Sequence, residues 1–422
     1  MELASRLDRL RTGFSRTFWV ANTLELFERF AFYGSKAILA VYLVDKVGLG
    51  PLGNTLVGLY GFSVFFLPIL AGTIVDRYGF RKSLAACFFI FSLGYFSVGL
   101  AGMPQGKAMV EAMGSVPYVI GALLLTAIGG SLIKPCIVGT VSRTTTEETK
   151  SLGYSIYYTL VNLGGALGPV LALQVREGLG IEYVLVMSAV VSFLNLVATL
   201  LFFQEPAAAN ASGERRTLAR VFTDMVVVFG NFRFISFLVV FSGFWIMFWQ
   251  IFYSLPFYVR DVLHFSRFEL IESVDAWSII FLTVPVTALM KRVRPIVAMT
   301  LGFAVASGSW LLIAVAPSIP LVVAAIALFA VGESMQAPRF YEYVADLAPP
   351  EQVGTFMGFA FLPVALGSLV AGPLSGWLVQ HYLHEGGRPA GMWVVLALIG
   401  VASTFLMFVH DRFFHGHKPS SR

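Results

Sequence analysis

The sequence predicts an all-helical integral membrane protein of twelve transmembrane helices in two pseudo-symmetric six-helix halves, and three observations carry that prediction. Hydrophobic residues make up 57% of the 422-residue chain and charged residues only 13%, with a mean hydropathy of +0.78. Soluble domains carry about a quarter charged residues. The apolar residues gather in twelve runs, most of them at or above the roughly 20 residues that a helix needs to cross a bilayer. One long polar break, Gln204 to Val228, leaves six runs on each side. The predicted organisation is therefore an N-terminal six-helix bundle over 1–203, a linker over 204–228 and a C-terminal six-helix bundle over 229–422.

The first run, 18–44, follows a polar, arginine-rich leader, Met1–Arg16, with no small-residue cleavage site between them, so no signal peptide is expected. The runs 54–75, 83–102, 117–141, 152–175 and 181–203 complete the first half. The second half reads as 232–258, 269–290, 295–316, 319–345, 353–380 and 390–410, the eighth and ninth runs being parted only by Lys291-Arg292-Val293-Arg294. Pro68, Pro135, Pro169, Pro285, Pro338 and Pro363 fall within runs, where a membrane helix accommodates them as kinks. The 40 glycines suit close helix approach in lipid.

Orientation follows from where lysine and arginine lie. With the N-terminus inside, the inner loops and tails hold Arg6, Arg9, Arg11, Arg77, Arg81, Lys82, Arg143, Arg215, Arg216, Lys291, Arg292, Arg294 and others. The outer loops hold only Lys46, Lys107, Arg176, Arg260, Arg267 and Arg388. Both termini are predicted to be cytoplasmic, and the membrane to be the plasma membrane, the inner one if the cell is bacterial. Asn210-Ala211-Ser212 matches a glycosylation acceptor but falls in a loop expected inside, so it reads as a chance match. Cys87 and Cys136 lie in apolar runs and read as buried thiols. No basic stretch interleaved with aromatics suggests nucleic-acid binding. No phosphate-binding loop, H-E-x-x-H motif or Ser/His/Asp grouping suggests an enzyme or an ATP-driven pump.

The first run departs most from a plain membrane span. Glu25, Glu28 and Arg29 stand inside it, and charges at bilayer depth cost a few kcal/mol each on the mildest scales. Helical spacing puts Glu25, Arg29, Tyr33 and, one turn on, Lys36 on one face, with Glu28 beside it. At about 1.5 Å per residue, Glu25 and Glu28 fall roughly 10–15 Å from the inner end of their run. On the same rise, Lys134 falls roughly 25 Å, and Glu333 roughly 20 Å, from the outer ends of runs four and ten. All three levels lie in the inner half or near the midplane of a core about 30 Å thick. Six helices plus six, with a polar site near the midplane, points to a secondary transporter.

Two motifs name a family. Gly72-x-x-x-Asp76-Arg77-x-Gly79-x-Arg81-Lys82 resembles the loop after the second helix in the major facilitator superfamily. Gly72 is expected to allow close helix packing there, and Asp76 to cap or charge-pair at a neighbouring helix end. The role the resemblance implies for Gly72, Asp76, Arg77, Gly79 and Arg81 is conformational. Glu25-x-x-Glu28-Arg29-Phe30-x-x-Tyr33-Gly34 resembles the E-x-x-E-R-F-x-Y-Y-G signature of the proton-coupled oligopeptide transporters, with Phe32 in place of the first tyrosine. Ile133-Lys134-Pro135, Tyr157-Tyr158-x-x-x-Asn162-Leu163-Gly164 and Gly332-Glu333-x-x-x-x-Pro338 resemble that family's elements in helices four, five and ten.

The resemblance implies a major facilitator fold and proton-coupled symport of di- or tripeptides, or of peptide-like zwitterions, by alternating access. Glu25, Glu28, Arg29 and Lys134 would form the proton relay, since a carboxylate beside a cation keeps its charge and a buried one without a cation favours its neutral form. Arg29, Tyr33, Lys134, Tyr157, Asn162, Trp245 and Glu333 would bind substrate, the cations taking a carboxylate and Glu333 an amino group. The family's acid on helix seven has no counterpart in Phe244-Trp245-Ile246-Met247-Phe248-Trp249-Gln250, and Phe65 stands where a tyrosine is usual. Lys36 with Asp275, or else Glu272, is therefore expected to form the outer gate, and Arg339 with Glu342 an ion pair or inner latch. No cofactor beyond the coupling proton, no metal and no nucleic acid is expected. The expected partners are a small-molecule substrate and the lipid bilayer, with the monomer as functional unit. The competing expectation is a proton-driven exporter or importer of a non-peptide metabolite or drug on the same fold.

Overall fold

The computed structural model describes residues 13–146, 148–206, 218–349 and 352–415. The leader residues 1–12 and the Asn210 acceptor lie outside them. Every regular element among the described residues is helical. In chain order these are α1 (Arg16–Val41) with a π-helical extension (Tyr42–Lys46), α2 (Pro51–Phe66), α3 (Pro68–Tyr78), α4 (Phe80–Leu100), α5 (Lys107–Met113), α6 (Ser115–Ser131), α7 (Ile133–Thr144), α8 (Lys150–Gly178) and α9 (Ile181–Phe202). There follow α10 (Leu218–Gly230), α11 (Phe232–Tyr253), α12 (Leu255–Asp261), α13 (Phe268–Met290), α14 (Pro295–Val315), α15 (Ile319–Leu347), α16 (Val353–Gly358), α17 (Leu362–Leu378) with a second π-helical extension (Val379–Glu385), and α18 (Pro389–His415). A short 3-10 turn, Pro104–Gly106, precedes α5.

Among the described residues, ten helical stretches are long and apolar enough to cross a membrane, eleven when α2 and α3, bent by 44°, are taken as one span. α1 is as long as these at 26 residues but carries the five charges Arg16, Glu25, Glu28, Arg29 and Lys36. Breaks within spans fall beside proline. Pro68 opens α3, Pro135 lies in the first turn of α7 and Pro363 in that of α17, where a missing N–H leaves no helical bond unmade. Pro169, Pro285 and Pro338 lie inside α8, α13 and α15.

The chain forms two compact units, the first of residues 1–38 and 66–221, the second of residues 39–65 and 222–422. In the first, α4 packs between α6 and α9. Gly94 lies against Thr126, and Gly129 against Phe91, so close that a side chain at either would displace its neighbour. In the second, α14 packs on α15 and α18, and α11 on α17. Its core is aromatic: Trp310 and Trp393 stack at 5.2 Å and Phe244 stacks on Phe329 at 5.0 Å. The second unit also holds α2, whose Gly58 meets Gly372 and Ser368 of α17 backbone to backbone.

Many large apolar side chains face outward. On α9 alone Val190, Phe193, Leu194 and Leu201 are exposed, as expected of a surface that lipid covers. The segment read as a polar linker differs from expectation, because α10 begins inside it at Leu218. The charged Glu214-Arg215-Arg216 upstream masks an apolar helical repeat in the residues that follow.

Candidate functional site

The charges of α1 gather in the first unit. Arg29 Nε donates to Glu28 Oε2 at 2.5 Å and lies 3.3 Å from Glu25 Oε1. Tyr157 Oη of α8 donates to the same Glu25 oxygen at 3.4 Å. The Arg29 guanidinium sits over the Phe32 ring at 5.0 Å. Glu25 and Glu28 are 1% exposed and Arg29 6%. Glu25 Oε2 and Glu28 Oε1 accept no hydrogen bond among the described residues. Half-buried Lys134 lies within electrostatic reach of Glu25, Glu28 and Arg29.

Local sequence explains this placement. The α1 and α8 helices cross where both have glycine: a Cβ at Gly164 would collide with Arg29 Cβ, and one at Gly168 would lie 3.0 Å from Tyr33 Cβ. Gly34 in turn meets the Gly168 carbonyl at 3.1 Å. α9 ties the other side of α1, through Asn195 Nδ2 to the Leu24 carbonyl (3.1 Å) and Ser188 Oγ to the Ala31 carbonyl (3.0 Å). Lys134 is the second residue of α7, just past the break at Leu132, so the turn that Pro135 starts orients it. Half-buried Tyr33 carries the Lys36 ammonium over its ring at 5.3 Å. Asn162 Nδ2 donates to the Tyr158 carbonyl one turn back, at 3.0 Å.

A guanidinium shared by two buried carboxylates, each keeping one oxygen that accepts no hydrogen bond, is an arrangement that can take up a proton. Neutralising one acid leaves the other to hold the arginine.

The remaining expected residues lie in the second unit. Glu333 is half-buried on α15, beside Ser334, whose Oγ is 3.2 Å from Thr283 Oγ1 of α13. Half-buried Trp245 packs its Cβ against Gly367 of α17 and its ring edge-on to Phe248 at 5.0 Å. Asp275 is buried on α13, as are Glu269 and Glu272 on the same helix.

Arg339 bonds Glu342 Oε2 at 2.6 Å, the ion pair expected of these two residues, and also the Met290 carbonyl at 2.5 Å, so it ties α15 to the end of α13. Two expectations change in the structure. Among the described residues nothing lies within 4 Å of where a Cβ on Gly72 would be, so no close packing depends on it there. The acid at the neighbouring helix end is Glu205 rather than Asp76, which is exposed. Glu205 accepts from the Phe80 and Arg81 amides at 2.7 and 2.8 Å, capping α4, and helix N-termini favour such an anion. Gly79, at φ 82°, makes the turn that brings those amides round, and Arg81 Nη2 donates to the Leu200 carbonyl at 2.6 Å. Arg77 sits over the Tyr78 ring at 5.4 Å.

Sequence reasoning also missed an ion pair. Asp45, in the π-helical extension of α1, pairs with Arg260 of α12, which bonds Asp261 as well. His384 of the second π-helical extension lies 3.8 Å from Asp261. The available signal was opposite charges at the loop ends of two spans.

The Major Facilitator Superfamily profile matches residues 23–362 and 268–422. The multidrug resistance protein MdtH of Photorhabdus laumondii is 23% identical over 375 residues, 88% of either chain. The dipeptide and tripeptide permease A of Escherichia coli is 23% identical over 430 aligned residues, 86% of this chain and 84% of the permease. Among solved structures, a POT family transporter in complex with 5-aminolevulinic acid superposes with a TM-score of 0.76 at 17% identity, covering 94% of this chain and 96% of that one. A peptide transporter POT in complex with sulfate does so with a TM-score of 0.74 at 19% identity, covering 95% and 94%. Those structures share the fold of this one. With a single family profile matched from residue 23 to the end of an all-helical chain rich in membrane spans, the protein belongs to the major facilitator superfamily and is a membrane transporter of that fold.

Proposed function

We propose that the protein carries di- or tripeptides, or peptide-like zwitterionic solutes, in symport with protons by alternating access. The observation that carries this reading is the Glu25–Arg29–Glu28 cluster, buried at the level of Lys134 and touched by Tyr157. A charged cluster in a membrane helix is costly unless it works. Glu25 and Glu28 take and release the coupling proton as Arg29 and Lys134 approach or withdraw. The same cations hold a substrate carboxylate, Glu333 takes the amino group, and Tyr33, Tyr157, Asn162 and Trp245 line the walls. No cofactor beyond the proton takes part, and the monomer is the working unit.

Counted as a span, α1 brings the total to twelve, with both termini cytoplasmic and a linker centred on 204–228 between the halves. We assign the outer gate to Lys36 of α1 with Asp275, or else Glu272, of α13. The kinship with dipeptide and tripeptide permease A supports a peptide substrate.

A second reading, proton-driven export of a drug or metabolite, is favoured by the aromatic α11, whose Phe244–Gln250 stretch holds no acid, and by the kinship with MdtH. Labelled dipeptide flux in right-side-out and inverted vesicles separates the two. Uptake driven by an inward proton gradient supports symport of peptides, whereas no dipeptide flux together with extrusion of a lipophilic cation supports the second reading.

A further inference from the structure

The short helix α10 has three distinct faces. Val221, Asp224 and Val228 are buried. Arg220, Thr223, Val227 and Gly230 are exposed on a second face, polar in its first half. On the third, Phe222 (58% exposed), Val226 (74%) and Phe229 (49%) form an apolar stripe at i, i+4 and i+7, with half-buried Met225 beside it. A helix in plain solvent has no reason to show a large apolar stripe next to the face that it buries.

What lies beside α10 indicates what covers the stripe. Only Asn231 separates α10 from the membrane span α11, and its side chain caps α11 by accepting from the Phe234 amide at 3.0 Å. The start of α10 is therefore within about 20 Å, at 1.5 Å per residue, of a point where the chain enters the bilayer. The stripe runs on into Phe232, 72% exposed at the first turn of α11, which faces the ring of Phe414 at 6.4 Å. Phe413, beside it on α18, is 64% exposed. These aromatics sit at the ends of two membrane spans, on surfaces that lipid covers. The apolar stripe of α10 continues that surface across Asn231, whose non-helical backbone (φ −84°, ψ 89°) turns the chain between the two helices.

We propose that α10 is an interfacial helix: it lies in the plane of the membrane, with Phe222, Val226 and Phe229 among the acyl chains at the headgroup boundary and Arg220 and Thr223 turned to the aqueous side. Such a helix combines a strong apolar face with a polar one. It holds the entry of α11 at constant depth while the transporter changes conformation.

Nitroxide scanning along α10 tests this in the full chain, reconstituted in phosphatidylcholine–phosphatidylglycerol liposomes. Single cysteines from 219 to 230 would be introduced on a background in which Cys87 and Cys136 are replaced by alanine. Collision rates would be read with oxygen, which concentrates in acyl chains, and with a water-soluble nickel chelate. The expected result is a 3.6-residue period, oxygen exceeding nickel several-fold at 222, 226 and 229 and the reverse at 220, 223 and 227. High nickel accessibility at 222, 226 and 229 would overturn the proposal, and so would low collision rates with both reagents there, which would mean that protein covers the stripe. A second variant guards against local misfolding. Val226→Asp, with the label at 229, is expected to raise label mobility and nickel contact, and Val227→Asp to change neither. Equal responses to the two substitutions would contradict an embedded face.

Discussion

Arg29 stands between two acids that share its charge, 2.5 Å from Glu28 and 3.3 Å from Glu25. Removing one partner of a buried ion pair leaves an uncompensated charge and costs about 3–5 kcal/mol. Arg29→Ala is accordingly expected to unfold at a clearly lower temperature than the parent in detergent, whereas Glu28→Gln, which leaves Glu25 to hold the arginine, unfolds close to it. A differential scanning measurement decides. Tyr157→Phe deletes one hydroxyl donor and is expected to cost about 0.5–1.5 kcal/mol, read in the same way. The α1 part of this cluster is legible in sequence, because residues three and four apart on one helix must share a face. Asp45–Arg260 is not legible in that way. Its partners lie 215 residues apart, and only tertiary packing unites them. Glu205, 125 residues from the amide of Phe80 that it caps, was hidden for the same reason.

At the level of helices, glycine decides how near α1 comes to α8. Gly164→Ala forces a Cβ into Arg29 and is expected to cost about 1–3 kcal/mol through overpacking, lowering the unfolding temperature and disturbing the charge cluster. Gly72→Ala, with open space around it, is expected to be neutral or slightly stabilising because alanine suits a helix better. Equal losses in the two variants would contradict the packing described. Asp45 and Arg260, both partly exposed, contribute about 0–1 kcal/mol to stability. Their expected effect is on conformation. Asp45→Arg or Arg260→Asp alone should raise the reactivity of a cysteine placed beside the π-helical extension of α1, and the double swap should restore the parent rate. Failure of the swap to restore it would show that the pair does not hold this end of α1. The spans themselves were readable within a few residues, since length and apolar content define them. The α10 helix was not, because its pattern is weak and charged residues precede it.

For the whole molecule, the helical architecture followed from composition and from the placement of polar breaks. The joining of residues 39–65 to the second unit did not, because it depends on glycine-to-glycine contacts such as Gly58 with Gly372 that no local pattern announces. The acidic and basic groups of α1 and α7 were readable as a set, because helical spacing and depth along the spans bring them to one level. The central claim is that a carboxylate of α1 carries the coupling proton. Proteoliposomes containing Glu28→Gln, assayed with a labelled dipeptide, test it most directly, by comparing accumulation under an inward proton gradient with exchange against dipeptide loaded inside. The account predicts that uphill accumulation falls to the level of empty liposomes while exchange persists near the parent rate; accumulation at the parent level would contradict it.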